Sequence, residues 1–294
     1  MAKMKPAAAD ASPMRNISDT ALWAAVYRGR ETQRPGGLFQ DPFARRLAGA
    51  RGEQIAAAFR KHDRSEWAWV MRTVLFDSFI TESIGRGADM VVSLAAGLDA
   101  RPYRMPLPPS LRWVEVDLPE LLDYKEKTLA GEKPLCALER VALDLADVGG
   151  RRALFQRLGA SARKVLILTE GLLIYLTAAE VGALAEDLAR PESFRLWALD
   201  VVSPGLLRML QREVGKALER AAAPLKFGPE EGPGFFEPHG WRPAVVRSVL
   251  QAAVQARRVP LWMRLVAKLP ESTGRQGRRP WSGICLLERG AASR

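Results

Sequence analysis

The rhythm of apolar and polar positions changes near residue 88. Before it, apolar residues recur at helical spacing. Ser18-Asp19-Thr20 offers a helix start, and the segment 21–31 (ALWAAVYRGRE) continues it. The stretch 34–43 (RPGGLFQDPF) reads as a loop. Asp41 then caps a short helix closed by Gly49, and residues 65–84 predict a longer one. From Asp89 onward, short apolar runs alternate with amphipathic helices. MVVSLAAG, LRWVEVD, ALERVALDL, KVLILTEG and SFRLWALDVV read as strands, with helical segments between them. This alternation predicts an α/β fold, a Rossmann-like parallel sheet with helices on both faces.

Residues 203–240 break the alternation. They hold an amphipathic helix (204–220) and a Pro/Gly-rich loop with Phe235 and Phe236. A helix near 243–253 and a last strand, WSGICLLER, complete the pattern. The expected organisation is a disordered tail (1–16) and one domain (17–294). That domain divides into N-terminal helices (17–87), a ligand-binding core (88–202), a lid or substrate insertion (203–240) and the C-terminal part of the core (241–294). The N-terminal helices are expected to cover the same sheet edge as the lid.

Composition narrows the chemistry. The 294 residues are 48% hydrophobic, which suits a globular domain. Cys136 and Cys285 form no CxxC pair, and the histidines are His62 and His239. No metal-ligand motif is present, so no metal is expected. The N-terminus lacks the apolar core of a secretory signal, and no apolar run reaches bilayer length, which predicts a cytoplasmic protein without a membrane partner. The net charge of +11 is spread along the chain and reads as solvated faces, densest at Arg275, Arg278 and Arg279.

The sharpest motif is VVSLAAGLDARPYR (91–104), a strand ending in a small-residue turn. Such a turn lets backbone approach a ligand at the carboxyl edge of a parallel sheet. Asp99 and Pro102 stand where a pyrophosphate would need a helix N-terminus, so a diphosphate cofactor is disfavoured. Asp117 ends the second strand, where a carboxylate accepts ribose hydroxyls, or caps the following helix. Asp144 and Leu145 end the third, placed for adenine or for a turn. Glu170-Gly171 ends the fourth, where Glu170 faces a cationic ligand end or bridges Arg101 or Arg72.

Taken together, SDTALWAAVYRGRE, LFQDPFARRLAG, MRTVLFDSFI, VVSLAAGLDARPYR, VEVDLPELLDYK, LDL and TEGLLIYL resemble the bacterial branch of the leucine carboxyl methyltransferase family, within the class I S-adenosylmethionine methyltransferases. The resemblance implies that Arg72 binds the methionine carboxylate of S-adenosylmethionine. Ala95, Gly97 and Asp99 would pack around the cofactor, Asp117 and Leu118 would hold the ribose, Asp144 and Leu145 the adenine, and Glu170 and Gly171 the amino or sulfonium end. The chain carries Ala95-Ala96 where the family's LGAG-like turn has a glycine.

The reaction implied is oxygen methylation of a carboxylate or hydroxyl, on a small molecule or chain end. A carboxylate needs no general base, whereas an alcohol or phenol needs a proton acceptor. The catalytic candidates are Tyr27, Tyr175 and His239. Core packing is the alternative for the tyrosines, and contact with Trp241 for the histidine. Arg28 could hold an anionic acceptor or pair with Glu31. Two other readings compete. A nicotinamide-dependent oxidoreductase lacks its GxGxxG turn. A nucleic-acid-binding protein lacks a recognisable module, so no nucleic-acid partner is expected.

Overall fold

The computed structural model describes residues 14–60, 65–267 and 277–290. Three helices open it: α1 (Asp19–Gln33), α2 (Ala44–Ala58, kinked at Gly49) and α3 (Glu66–Gly85). The alternating part runs β1 (Met90–Leu94), a short α4 (Arg101–Arg104), β2 (Arg112–Asp117), α5 (Pro119–Thr128), β3 (Ala137–Ala142), α6 (Val148–Ala160), β4 (Val165–Thr169), α7 (Ala178–Ala189) and β5 (Phe194–Val202). Then follow α8 (Pro204–Arg220), a 3-10 helix (Gly232–His239), β6 (Trp241–Ser248), α9 (Val249–Gln255), α10 (Leu261–Val266) and β7 (Ser282–Arg289).

The seven strands form one sheet in the order β3-β2-β1-β4-β5-β7-β6. β7 is inserted antiparallel between β5 and β6, and the β1–β5 ladder is parallel. Strands β1 and β4 are buried at every position, as expected of a sheet covered on both faces. One face packs Val92, Leu94, Val116 and Ile167 with residues of α6 and α7. The other packs Val91, Trp113, Leu168 and Ala198 with α3 and α9. A third cluster joins Trp23, Tyr27 and Leu47 of α1 and α2 to Leu207 and Leu218 of α8 and to Leu98. Leu98 follows the carboxyl end of β1, so α1, α2 and α8 meet above that edge.

Three expectations need correction. Residues 243–248 are not helical: they form β6, with Pro243 at a register shift against β7. β6 is an edge strand, where a proline's missing N–H costs no ladder bond. Its exposure alternates along its length, and the helical pattern begins only at Val249, capped by Ser248. Within the expected tail (1–16), residues 14 and 15 are packed and bonded. Residues 1–13 lie outside the description, but Met14 is buried against the α1–α2 cluster, and Arg15 N–H donates to Asp19. Finally, the segment expected to form the lid is partly built into the sheet packing. Phe236 is fully buried against Trp197 and Trp241 on the sheet face.

Candidate active site

Strand register sets the site. Leu94 pairs with Val116 and with Thr169, and Thr169 pairs with Leu199. One residue further along, Asp117, Ala95, Glu170 and Asp200 stand at one level across β2, β1, β4 and β5. Period-two alternation turns all four toward the α3 face of the sheet, shared with Trp113, Val91, Leu168 and Ala198. The order reverses between β1 and β4, the switch point at which open α/β sheets bind ligands.

The β1 turn is clamped to β2. Asp117 Oδ2 accepts from Gly97 N–H at 2.6 Å, and Oδ1 accepts from Leu118 N–H at 2.7 Å. Burial raises the Asp117 pKa, and these two N–H bonds oppose the rise. Asp117 therefore does not cap α5, whose N-cap is Leu118. Gly97 holds a left-handed φ of 52°, and a Cβ there would meet Ala21 Cβ at 3.3 Å. Ala95 also has a left-handed φ, 51°, at a cost of about 1–2 kcal/mol for a residue with a Cβ. That conformation accounts for the glycine usual in the turn.

Arginines line the opposite wall. Arg101 Nε donates to Asp77 at 2.6 Å, and its NH1 donates to Asp99 at 2.9 Å and to Glu170 at 2.8 Å. Burial works against its charge, but Asp99, Glu170 and Asp77 outweigh it. Arg104 holds both oxygens of Asp77 at 2.8 Å. Burial would raise the Asp99 carboxyl, yet the charges of Arg101, Lys125, Arg104 and Arg28 hold it at about 2. Arg72, on α3, donates Nε to Glu170 Oε1 at 3.0 Å and stacks on Trp69. Glu170 thus bridges both arginines named as its partners. Gly171 holds φ 69°, and a Cβ there would lie 3.0 Å from Arg72 NH1.

Asp200 was not singled out from sequence. Its Oδ1 accepts from Gly171 N–H at 2.8 Å, while Oδ2 lies 3.7 Å from Arg72 NH1, beyond hydrogen-bond reach. Burial raises its pKa, partly offset by Arg72. The signal that marked Asp117 and Glu170 was present: an acid near the end of a parallel strand. Asp200 was passed over because β5 runs on through Val201 and Val202. Asp77 was also missed, since it sits mid-helix in α3, and so was Arg104, whose partner Asp77 is distant in the chain.

The remaining candidates separate. The Tyr175 hydroxyl is hydrogen-bonded to Thr20 and lies in the fields of Arg72 and Asp200; burial raises its pKa. Tyr27 is fully buried among Trp23 and Trp69. Asp144 is exposed and accepts from Ala146 N–H at 2.9 Å, and Leu145 packs against the core. Arg28 does not pair with Glu31. It donates to Asp41 at 3.0 Å and to the Leu98 carbonyl at 2.6 Å. His239 is displaced from the site altogether. It precedes Trp241, which pairs with Arg289 beside the amino end of β5. Its ring packs on Gly182 and Phe235, and Nδ1 lies 3.0 Å from Glu186. A surface hollow of about 240 Å³ between α1 and α2 contains none of the row.

Sheet order and site together define an α/β methyltransferase fold. Solved structures share it: a DUF574 family protein from Streptomyces avermitilis (TM-score 0.57, 11% identity, 95% of this chain and 98% of that one) and a candidate methyltransferase from Thermobifida fusca (0.55, 15%, 99% and 100%). A Mycobacteroides abscessus protein, named as a candidate S-adenosyl-L-methionine-dependent methyltransferase, is 31% identical over 268 residues, covering 83% of this chain and 89% of its own. The leucine carboxyl methyltransferase pattern matches residues 21–189. The chain belongs to the leucine carboxyl methyltransferase family. The oxidoreductase alternative falls with that membership.

Proposed function

We propose that the protein is an S-adenosylmethionine-dependent O-methyltransferase acting on a carboxylate or hydroxyl of a small molecule or chain end. The observation that carries this reading is the row Asp117–Ala95–Glu170–Asp200, with Arg72 beside it. An ionised carboxylate has about four acceptor sites, and Asp117 uses two, leaving capacity for two ribose hydroxyls. Gly97 keeps the turn open where a Cβ would intrude. The outer fork of Arg72 makes no hydrogen bond among the described residues and suits a carboxylate.

The cofactor supplies an activated methyl group. The chain's own residues bind, orient and exclude water. Arg72 and Asp117 would fix the two ends. Helices α1 and α8 cover the edge. For a hydroxyl acceptor, Asp200 Oδ2 would receive the proton and Tyr175 would orient the hydroxyl; a carboxylate acceptor would need neither. S-adenosylhomocysteine should raise the melting temperature while NAD and an oligonucleotide leave it unchanged. Incubation with methyl-labelled cofactor and an extract of small acids and alcohols then identifies the acceptor. An ester product releases methanol in mild base, and an ether does not. A methyl group found on nitrogen or carbon would refute the oxygen assignment.

A further inference from the structure

The site leaves one concentration of charge unexplained. Around residues 257–279 the described residues include five arginines, Arg257, Arg258, Arg264, Arg278 and Arg279, and no acid. In the middle of this stretch, α10 presents Leu261, Trp262 and Leu265 to solvent at 74%, 64% and 67% exposure. Their neighbour Met263 turns inward against the α3 face cluster, and Ala267 is buried. The helix is therefore seated on the protein and shows three large apolar side chains outward. Large exposed apolar groups packed this closely mark a binding surface.

The stretch is anchored at both ends on one side of the molecule. Arg258 donates to Glu31 at 2.6 Å and to the Gly36 carbonyl at 2.8 Å, just past α1. The Arg279 carbonyl accepts from the Ser203 hydroxyl at 2.7 Å, next to the carboxyl end of β5. Both described ends of the stretch thus lie beside elements at the edge that carries the carboxylate row.

We propose that α10, with Arg264 on it and the described arginines before and after it in the chain, docks this protein onto an anionic lipid surface. Two chemistries coincide here, as peripheral anchoring requires: apolar side chains that enter the interface and cations that meet lipid phosphates. Tryptophan with leucine suits the boundary between headgroups and acyl chains. A second copy of the chain is a poor occupant, because it would bring a like-charged stretch against this one. Nucleic acid would satisfy the cations but leave Leu261 and Leu265 in water. Docking here revises the expectation that the protein has no membrane partner. It involves no spanning helix, and none of the described helices is long and apolar enough for one.

The test is co-sedimentation of the full chain with vesicles of phosphatidylcholine alone and of phosphatidylcholine with one quarter phosphatidylglycerol. The parent should pellet with the anionic vesicles and bind the neutral ones at least about tenfold less. Changing Leu261, Trp262 and Leu265 together to Ser should cut binding at least about fivefold, with an unchanged melting temperature. Arg257→Glu, a second change at an exposed position, should also weaken it. A parent that stays in the supernatant overturns the proposal. So does a triple variant that pellets as well as the parent, because adsorption would then be charge alone. A concentration-dependent dimer, or an oligonucleotide complex, that the triple variant abolishes while vesicle binding persists also overturns it.

Discussion

The Gly97 N–H donates to Asp117 Oδ2 at 2.6 Å, so the residue expected to grip the sugar also fastens the β1 turn to β2. The carboxylate proposed to bind the ligand is also structural, and its variants should report both roles. Asp117→Ala removes two charge-assisted bonds to backbone and leaves the Gly97 and Leu118 N–H groups seeking partners. Cofactor affinity should fall by about 1–3 kcal/mol, and stability by a comparable amount. Asp117→Asn keeps one acceptor oxygen and should fall between parent and Ala. Calorimetric titration with S-adenosylhomocysteine, beside thermal melts, separates the two effects. Parent-like affinity in the Ala variant would remove Asp117 from the site.

Arg72 is expected to behave differently. Its partner Glu170 keeps a second arginine, Arg101, at 2.8 Å, and Asp200, which loses its nearby cation, already has its pKa raised by burial and can take up a proton. Arg72→Ala should weaken cofactor binding about tenfold or more while costing little stability. Arg72→Lys should not rescue it, because an ammonium cannot reproduce the planar fork. Matching titrations for parent and variants would contradict this.

Asp99 makes an acid-stability prediction. Its pKa is held at about 2 against an ordinary 3.8, so the folded state binds its proton less readily than the unfolded chain. Its contribution is complete above pH 4 and disappears as pH falls through 2. The shift is worth roughly 2 kcal/mol. Burial raises Asp117 and Asp200 instead, and those two work in the opposite sense in acid. The clean readout is therefore a difference. Asp99→Asn should be less stable than the parent at pH 6 by roughly that amount, and the gap should close toward pH 2 in urea melts. A gap independent of pH would mean that the loss is one of packing, not charge.

Tyr175 and His239 make a contrasting pair. Tyr175→Phe removes a hydroxyl that faces Thr20, Arg72 and Asp200. It should lower kcat about tenfold on a hydroxyl acceptor and leave S-adenosylhomocysteine binding within about twofold. His239→Ala, at the opposite edge, should leave kcat and KM unchanged once the acceptor is known. A large kcat loss in the histidine variant would show that the geometry has been misjudged.

The pattern of the sequence made the alternating core legible because β1, β2 and β4 are short, largely buried runs, each ending in a turn or a helix start. Asp117 and Glu170 were legible for the same reason: each ends such a run. What escaped depended on packing across distant segments. Asp200 sits inside a strand that continues past the sheet edge, and Asp77 meets Arg101 and Arg104 only after α3 lies down on the sheet. Residues 243–248 carry helix-compatible side chains, and the antiparallel partner β7 makes them a strand. His239 looked eligible because nothing local says at which end of the sheet a loop emerges.

Residues at one level on adjacent strands form a ruler that no single side chain can reset. Inserting or deleting one residue within β2, β4 or β5 would slide its acid about 3.3 Å and turn it to the opposite face. Descendants of this chain can therefore explore new acceptors through the loops above the edge and through α8. The lengths of the strands beneath are far less free to drift.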